Sequence, residues 1–343
     1  MSFACPRCKG AVWARDEAYG CAACGLVFPI VCGIPDFRLA PDPYIGIDAD
    51  RRKAERLFEA GSDGTFATLV RHYYAVTPED PPDLAARWIP RALAEPQIAG
   101  ALLAEYGFLG DRATDGALLD VGCSTGGLLV AARGAFAEIV GVDVALRWLA
   151  VGRVRLREAG VDATLVCANA EHLPFPDRSF AAVTCTDTLE HVADARAALS
   201  EARRVSGPGA RLLCTANNRF APLPEPNVHL WGVGYLPRGW QAAYVRWRRR
   251  DLHPYQIRLR SAGELLALAS RAGYVKPRVG AGPIVVPHAE SSGLRRVARV
   301  YNRARTIAVI EWLLSRVGPK LVLTAAATAS NRPPPSAIAR DDR

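Results

Sequence analysis

Short apolar runs alternate with stretches of helical periodicity over most of the second half of the chain. Apolar runs of about four to eight residues with helical segments between them predict buried parallel strands with helices on the sheet faces. The expected strands are 118–121, 138–143, 163–168, 181–187, 211–218 and 275–286. The sequence Gly-Pro-Gly at 207–209 predicts a turn before the fifth of them. The pattern therefore predicts a doubly wound α/β fold.

One stretch joins the first expected strand to the helix behind it. The run 118–121, which includes Asp120, leads into a loop of small residues with Gly122, Ser124 and Gly126. Ligands of such sheets bind at the carboxyl ends of the strands, where glycine lets the backbone approach closely. The spacing D-x-G-x-S-x-G differs from the dinucleotide fingerprint G-x-G-x-x-G. A loop containing glycine after any buried strand remains the alternative at this point.

At this loop the sequence resembles the class I S-adenosylmethionine (SAM)-dependent methyltransferases, whose first motif is D/E-x-G-x-G-x-G. Ser124 replaces the middle glycine. The resemblance implies a Rossmann-like, seven-stranded sheet in which 321–325 is the terminal antiparallel strand. Asp143 ends the second strand, where an acid accepts hydrogen bonds from two ribose hydroxyls. The candidate SAM-binding residues are Asp120, Gly122, Cys123, Ser124, Gly126, Asp143, Val144, Asn169, Ala170 and Thr186.

Two later segments resemble the type 11 methyltransferases, the group similar to ubiquinone and menaquinone C-methylases. Residues 173–183 follow that group's LPFPDxSFDxV link except that Ala181 replaces its usual aspartate, and residues 189–192 read LEHV after the fourth strand. The resemblance implies that Asp120 fixes the loop and the ammonium side of SAM, and that Asn169 contacts adenine. His191 is a candidate general base for the methyl acceptor, or alternatively a hydrogen-bonding partner of the sheet edge.

Four cysteines near the N-terminus have the spacing of a metal site. The pairs Cys5/Cys8 and Cys21/Cys24 are separated by twelve residues. Two such knuckles complete a tetrahedral four-thiolate set with no open position, which predicts a structural zinc ion. Two redox dithiols are the alternative. Residues 26–37 resemble the end of a small zinc-ribbon family that includes an activator subunit of tRNA and protein methyltransferases.

These observations divide the chain into four segments. We predict a zinc ribbon over 1–37 and a SAM-dependent methyltransferase domain over 111–330. Residues 38–110 form a helical lead-in, a segment that often covers the SAM and substrate pocket in the resembled enzymes. Residues 331–343 are rich in proline and charge and are expected to be a disordered tail.

The charge and the segments rich in arginine and aromatic residues bear on possible partners. The 343 residues carry a formal net charge of +9, which permits an anionic partner without requiring one. Residues 219–258 combine aromatic residues with arginine, and residues 294–317 predict an arginine-rich amphipathic helical pair. The arginines of this pair are interpreted first as the solvated face of helices packed on the sheet, and alternatively as a surface for a peripheral membrane contact or a partner. We expect no transmembrane segment, because no apolar run reaches about 18–20 residues. Without a signal-peptide pattern, a cytoplasmic protein is expected.

Three functions are compatible with these motifs. The first is SAM-dependent methyl transfer to a small-molecule or lipid-linked acceptor by direct displacement. The second is methylation of tRNA or rRNA, with the zinc ribbon and the arginine-rich segments holding the RNA. The third is a non-catalytic scaffold with a SAM-binding fold. The intact glycine loop and Asp143 favour an enzyme over a scaffold.

Overall fold

The structure is a computed structural model that describes residues 1–77, 80–110, 114–252, 255–287 and 291–327. The expected disordered tail, 331–343, lies outside these ranges. Within them, no helix is both long enough and apolar enough to cross a bilayer.

The N-terminal segment forms a small antiparallel sheet in the order β1-β2-β3-β4. Its strands are β1 (Val12–Arg15), β2 (Ala18–Cys21), β3 (Val27–Val31) and β4 (Ile34–Pro35). Phe28 and Phe37 are buried together with a ring centroid distance of 5.0 Å, and Phe3 contacts Phe37 and Phe175. Because Phe175 belongs to the core of the large sheet, the small sheet shares that core rather than standing apart.

Three helices follow the small sheet. They are α1 (Ile47–Ala60), α2 (Phe66–Ala75) and α3 (Pro82–Glu105). Helix α3 runs through Pro96, which has no N–H to donate to the carbonyl of Ala92. The guanidinium of Arg155 donates to that carbonyl instead, so a neighbouring side chain satisfies the acceptor that the proline leaves open.

The large sheet has seven strands in the order β10-β11-β9-β8-β5-β6-β7. The strands are β5 (Thr114–Val121), β6 (Phe136–Asp143), β7 (Thr164–Cys167), β8 (Phe180–Thr186), β9 (Ser206–Asn217), β10 (Val275–Ala281) and β11 (Lys320–Ala326). Strand β11 is antiparallel to both of its neighbours, and strands β5 to β9 pair in parallel. This order confirms the predicted α/β methyltransferase fold, including its terminal antiparallel strand.

Helices connect and cover the strands. They are α4 (Gly127–Ala131), α5 (Leu146–Ala159), α6 (Ala195–Val205), α7 (Arg238–Arg248), α8 (Ala262–Arg271), α9 (Ser292–Ala304) and α10 (Ala308–Val317). A satellite cluster of Val228, Leu230, Val233 and Val245 packs inside the long connection before α8. The long segment between β9 and α8 therefore has a small core of its own.

Two sequence-based predictions about strand ends were wrong. The strand expected over 275–286 ends at Ala281, since Pro283 has no N–H for the ladder. The turn expected at 207–209 lies inside β9, where Gly209 has a φ of +73°. Ser206 pairs with Phe180 before the pairing with β8 shifts register, so the glycines form an irregularity within the strand instead of ending it.

Candidate active site

The loop after β5 presses its backbone against the end of β6. The N–H groups of Gly122 and Cys123 both donate to the Val142 carbonyl, at 2.7 and 3.0 Å. Gly122 has a φ of +79°, and a Cβ there would lie 2.1 Å from Oγ1 of Thr188. Glycine is therefore required at Gly122 both by the backbone conformation and by the close approach of Thr188.

Ser124 takes the backbone conformation that the family's middle glycine would favour. Its φ is +48°, which costs a residue with a Cβ about 1–2 kcal/mol. The Ser124 N–H donates to Oδ2 of Asp143 at 2.8 Å. A hydrogen bond to an ionised group contributes about 1.5–3 kcal/mol, so it can offset the strain.

Asp143 is oriented by two backbone donors at the carboxyl end of β6. One carboxylate oxygen accepts the Ser124 N–H and the other accepts the Ala145 N–H, each at 2.8 Å. Burial raises the pKa of Asp143, while these two N–H groups lower it. Each carboxylate oxygen can accept a second hydrogen bond. The two carboxylate oxygens can thus accept hydrogen bonds from two ribose hydroxyls, and the ribose contact itself stays a prediction.

Asp120 is a buried carboxyl, and none of the groups that shift its pKa is basic. Its Oδ1 accepts the Thr184 hydroxyl at 2.8 Å, and the residue is 1% exposed. Burial raises the pKa of Asp120 to about 7, and the negative charges of Glu95 and Asp143 add to the effect. A cation placed here would relieve this unfavourable electrostatics, so the site fits the ammonium group that the resemblance assigns to it.

The amide of Asn169 holds the segment that follows the ribbon. Its Oδ1 accepts the N–H groups of Leu39 and Ala40 at 2.9 and 3.1 Å, and its Nδ2 donates to the Ala40 carbonyl at 3.2 Å. Phe37 also donates its N–H to the Cys167 carbonyl at the end of β7. The adenine contact of Asn169 stays a prediction, and it would place the base beside residues 39 and 40.

The other predicted SAM-binding residues lie at the same sheet edge, but not all can use their side chains. The Cys123 thiol points into the core, where a Cβ on Gly141 would lie 2.7 Å from its sulfur. Cys123 could therefore contact a ligand only through its backbone. Ala170 lies just after β7, and Thr186 is the last residue of β8. Their roles as SAM contacts stay predictions.

A charged cluster at the ends of β8 and β9 was missed by sequence analysis. Both carboxylate oxygens of Asp187 accept hydrogen bonds from Nζ of Lys320, at 2.7 and 2.6 Å. Arg91 and Thr215 also donate to this carboxylate. Burial opposes ionisation, yet Lys320 and Arg91 hold the pKa of Asp187 well below its usual range. Lys320 also donates to Oδ1 of Asn217 at 3.0 Å.

Glu190 extends this cluster with an acceptor that has no partner. Its Oε1 accepts Nδ2 of Asn217 at 3.0 Å, whereas its Oε2 is buried without a hydrogen bond within the part of the chain that the structure describes. Burial raises the pKa of Glu190 to about 7, and the negative charge of Asp187 adds to this shift. Near neutral pH, Glu190 can therefore carry a proton and act as a hydrogen-bond donor.

His191 lies in an acidic environment next to this cluster. Burial lowers the pKa of its imidazole. This shift is opposed by the negative charges of four acids, which are Glu225, Asp187, Asp143 and Asp42. Over the described ranges, the only hydrogen bond from His191 is its backbone N–H to the Thr188 carbonyl. The imidazole is thus neutral near neutral pH and can accept a proton.

A cavity of about 140 Å³ opens beside Asn217. It lies between the end of β9 and the long connection, and its lining includes Asn217, Glu225, Tyr235, Leu259 and Pro319. The lining is largely apolar and includes a few polar side chains, such as Asn217 and Glu225, a mixture that is typical of small-molecule sites. The cavity therefore provides a largely apolar space next to the carboxyl end of β9.

Helix α3 covers the glycine loop. Glu95 on α3 accepts the Thr125 hydroxyl at 3.2 Å and the Arg155 guanidinium at 2.7 Å. A Cβ on Gly127 would lie 2.4 Å from Cγ of Glu95, so the absence of a side chain there allows the helix to approach. The segment proposed as a lid therefore touches the loop directly, although the lid role and the segment boundaries stay predictions.

A buried charge network ties the end of the ribbon segment to the loop after β6. Arg38 donates to both oxygens of Asp36 at 2.8 Å and to Asp50 at 2.7 Å, and all three side chains are buried. Arg38 also donates to the carbonyl of Val144 at 3.1 Å. Asp50 accepts the N–H of Leu146 at 2.9 Å, at the start of α5. Sequence analysis missed this network because alternating charges in a linker resemble a solvated surface.

The four predicted ligands Cys5, Cys8, Cys21 and Cys24 come together at one point. All four sulfurs lie within 4.8 Å of one another, and the Cys5–Cys24 and Cys8–Cys21 sulfurs are 3.5 Å apart. A tetrahedron with Zn–S bonds of about 2.3 Å has sulfurs slightly farther apart than this, at about 3.8 Å. The cluster fits a zinc ribbon in both ligand chemistry and spacing.

Comparison with known proteins agrees with this geometry. A family model described as a methyltransferase domain matches residues 119–214. The demethylmenaquinone methyltransferase of Symbiobacterium thermophilum is 31% identical over 171 residues, covering 46% of this chain and 68% of that relative. The chain belongs to the class I SAM-dependent methyltransferases. The range matched by the family model contains the glycine loop and the strands β6, β7 and β8.

Two other curated relatives of this methyltransferase match over a shorter region. The demethylmenaquinone methyltransferase of Thermus thermophilus is 37% identical over 110 residues, covering 32% of this chain and 49% of the relative. The ubiquinone/menaquinone biosynthesis C-methyltransferase UbiE of Burkholderia mallei is 39% identical over 114 residues, covering 32% and 46%. The chain spans about half the length of these two relatives.

Solved structures match this chain only at low sequence identity and low TM-score. The YcgJ protein of Bacillus subtilis is 20% identical with a TM-score of 0.45, covering 68% of this chain and 100% of that chain. Phosphoethanolamine N-methyltransferase 2 of Haemonchus contortus, in complex with SAM, is 19% identical with a TM-score of 0.43, covering 68% and 52%. Because both TM-scores are low, the fold assignment rests on the strand order of this chain's own sheet.

Proposed function

We propose that this methyltransferase transfers a methyl group from SAM to a small-molecule or lipid-linked acceptor with an apolar ring. The observation that carries the proposal is the arrangement of two sites at one sheet edge. Asp120 and Asp143 flank a glycine loop suited to SAM, and the cluster of Asp187, Glu190 and Asn217 lies at the ends of the neighbouring strands. Three relatives are methyltransferases of menaquinone or ubiquinone biosynthesis by name, which supports this acceptor class.

The residues of the chain would bind and orient the two reactants. When bound, SAM supplies an electrophilic methyl group on a sulfonium. Asp143 would hold the ribose, Asp120 the ammonium group, and Asn169 the adenine side. Orientation of the acceptor in line with that methyl group would provide most of the rate acceleration. The protonated Oε2 of Glu190 and the amide of Asn217 would position an oxygen substituent of the acceptor.

His191 would take the proton that the acceptor loses as its new bond to the methyl carbon forms. This role is supported by its lowered pKa and by the absence of a hydrogen bond from its imidazole to the sheet edge within the described ranges. A correctly placed base contributes about 10²–10⁴-fold to the rate. The variant His191→Asn should lose that factor in turnover while SAM affinity stays within about twofold. His172→Asn, which changes an exposed histidine, is the matched control.

We also propose that the four thiolates hold one structural Zn²⁺ per chain. A segment as short as this ribbon buries little apolar surface of its own, so metal binding would supply much of its folding free energy. The ion would hold in place the residues that follow the ribbon. Among these, Arg38 donates to the Val144 carbonyl and Leu39 donates to the Asn169 side chain, beside the proposed SAM site. The predicted cytoplasmic location stays a prediction.

The test is methyl transfer from tritiated SAM. Purified protein is incubated with a small-molecule and lipid extract of the native host and, separately, with its total RNA. Label in the extract, reduced in His191→Asn but not in His172→Asn, is the expected result. Label in RNA alone would overturn the proposed acceptor class, because the methyl group would then have gone to a nucleic acid. The names of the relatives give this RNA alternative no specific support. Measurable SAM binding with no label in either sample would contradict the proposal and favour a scaffold.

A further inference from the structure

Helices α9 and α10 each expose several large apolar side chains. On α10 the side chains of Val309, Trp312 and Leu313 are 77%, 56% and 51% exposed. Val297 and Val300 on α9 are each 64% exposed. Contiguous exposed apolar side chains rimmed by polar groups mark an interaction surface rather than ordinary solvent contact. We call this set of residues, with Ile307 and Val317, the α9–α10 face.

The spacing of these residues separates the exposed face of each helix from its packed face. On α10, residues 309, 312, 313, 316 and 317 are all exposed, whereas Ser315 is buried and Glu311 turns inward to accept the Ala281 N–H at 3.2 Å. On α9, Ala298 is buried and Asn302 binds the backbone of Ile284. One side of each helix therefore packs on the rest of the protein, and the apolar side chains on the other side remain exposed to solvent.

The charge on this surface has one sign. Residues 291–318 contain six arginines and a single acid, Glu311, which points away from the α9–α10 face. Arg296, Arg299 and Arg303 are exposed beside the valines of α9, and none of the three makes an ion pair over the ranges that the structure describes. On α10 the guanidinium of Arg316 stacks on Trp312, 3.6 Å from the ring centroid. Tryptophan and arginine side by side are typical of residues at a membrane–water interface.

We propose that the α9–α10 face docks this protein onto an anionic bilayer surface. Valine, leucine and tryptophan side chains would enter the boundary between headgroups and acyl chains, and the arginines would meet lipid phosphates. A second copy of the chain is a poorer occupant, because a symmetric contact would oppose arginines to arginines. An anionic lipid surface provides both the apolar layer and the opposite charge.

The position of the surface connects it with the candidate acceptor site. Helix α10 ends at Val317, and Pro319, two residues later, lines the cavity beside Asn217. Tyr235 also lines this cavity, and the exposed ring of Trp231 stacks on that of Tyr235 with a centroid distance of 6.1 Å. Docking would thus bring the cavity next to the lipid surface. The use of docking to collect a lipid-linked acceptor rests on the proposed function, but docking itself does not.

The experiment measures cosedimentation of the full chain with vesicles, without SAM or acceptor, so that docking can fail independently of methyl transfer. Vesicles of phosphatidylcholine alone are compared with vesicles containing phosphatidylglycerol. The triple variant Val309→Ser/Trp312→Ser/Leu313→Ser removes the apolar contact, and Arg296→Gln/Arg299→Gln/Arg303→Gln removes the charge. Val27→Ser/Leu266→Ser, which changes two exposed apolar residues of the ribbon and α8, is the control.

Binding to the anionic vesicles is expected for the unchanged chain and the control. The apolar variant should bind at least tenfold more weakly, and the charge variant should lose about fivefold for each arginine together with the preference for phosphatidylglycerol. Circular dichroism and SAM binding, which the exposed substitutions should leave unchanged, separate misfolding from lost docking. Absence of vesicle binding by the unchanged chain would overturn the proposal. The proposal would also be overturned if the unchanged chain were dimeric in solution, the apolar variant were monomeric, and neither protein bound lipid.

Discussion

The affinity for SAM should depend on pH through Asp120. This buried carboxyl has a pKa of about 7 in the ligand-free protein, because burial and the charges of Glu95 and Asp143 disfavour its ionised form. A bound ammonium group beside it would favour ionisation and lower that pKa. Binding therefore selects the ionised form, and affinity should rise with pH until Asp120 is ionised in the free protein as well.

The size of the effect follows from the ionised fraction of free Asp120. With a pKa of about 7, this fraction is roughly one tenth at pH 6 and one half at pH 7. The association constant should thus increase about fivefold over that unit, equivalent to about 1 kcal/mol. At pH 7, binding should release about half a proton. Below pH 7 the ligand's own amino group, with a pKa of roughly 7.7–8.0 for an α-amine, stays charged.

The assay is titration calorimetry at pH 6.0, 6.5 and 7.0, in two buffers of different ionisation enthalpy. The difference in heat between buffers measures the protons released. Asp120→Asn should bind SAM more weakly at pH 7, with no pH dependence and no proton release. Equal affinity of the unchanged protein at pH 6 and 7, without proton release, would refute the assignment of Asp120 to the ammonium side.

Three further predictions concern stability. Gly122→Ala should lower the free energy of unfolding, measured in urea, by about 2–4 kcal/mol, because the new Cβ would lie 2.1 Å from Oγ1 of Thr188. Gly134→Ala is the control, since Gly134 has a similar φ but open space around it, and an equally large loss there would refute the clash. Arg38→Met leaves Asp36 only its bond to Arg51 and Asp50 only its bond to Arg147 among arginine partners, and the loss of the buried Arg38 contacts should cost about 2–4 kcal/mol. Exposed Arg52→Met should change little, and equal effects of the two variants would contradict the buried network. Metal analysis should find one zinc ion per chain in the unchanged protein and none in Cys8→Ser. Removal of the metal by a chelator should lower the Tm, and a Tm that chelation does not change would contradict a structural metal.

The large sheet was predictable because its strands are short, apolar and separated by helices. In such a sheet the carboxyl ends of the parallel strands share one edge, so acids that follow strands must be neighbours. Asp120 and Asp143 could be assigned to one site on that ground, and their placement beside the same loop is confirmed. The strand boundaries were less predictable, as shown by the glycines inside β9 and by Pro283.

The contacts that were missed join residues far apart in the sequence. Lys320 pairs with Asp187 across 133 positions, and Arg38 reaches Val144 across 106 positions. No periodicity signals such pairs, because each residue alone resembles a surface charge. The use of Asn169 to hold residues 39 and 40 was hidden for the same reason. One signal was available for Lys320: it is one of only four lysines in an arginine-rich chain and begins the terminal strand.

The central claim is that SAM binds at the glycine loop with its ribose on Asp143. The most direct test compares the SAM affinity of the unchanged protein, Asp143→Asn and the exposed control Asp162→Asn by calorimetry at pH 7. Loss of charge-assisted hydrogen bonds worth about 1.5–3 kcal/mol predicts about 10- to 100-fold weaker binding for Asp143→Asn and no change for the control. Equal affinity of all three proteins, or no SAM binding by the unchanged protein, would contradict the account.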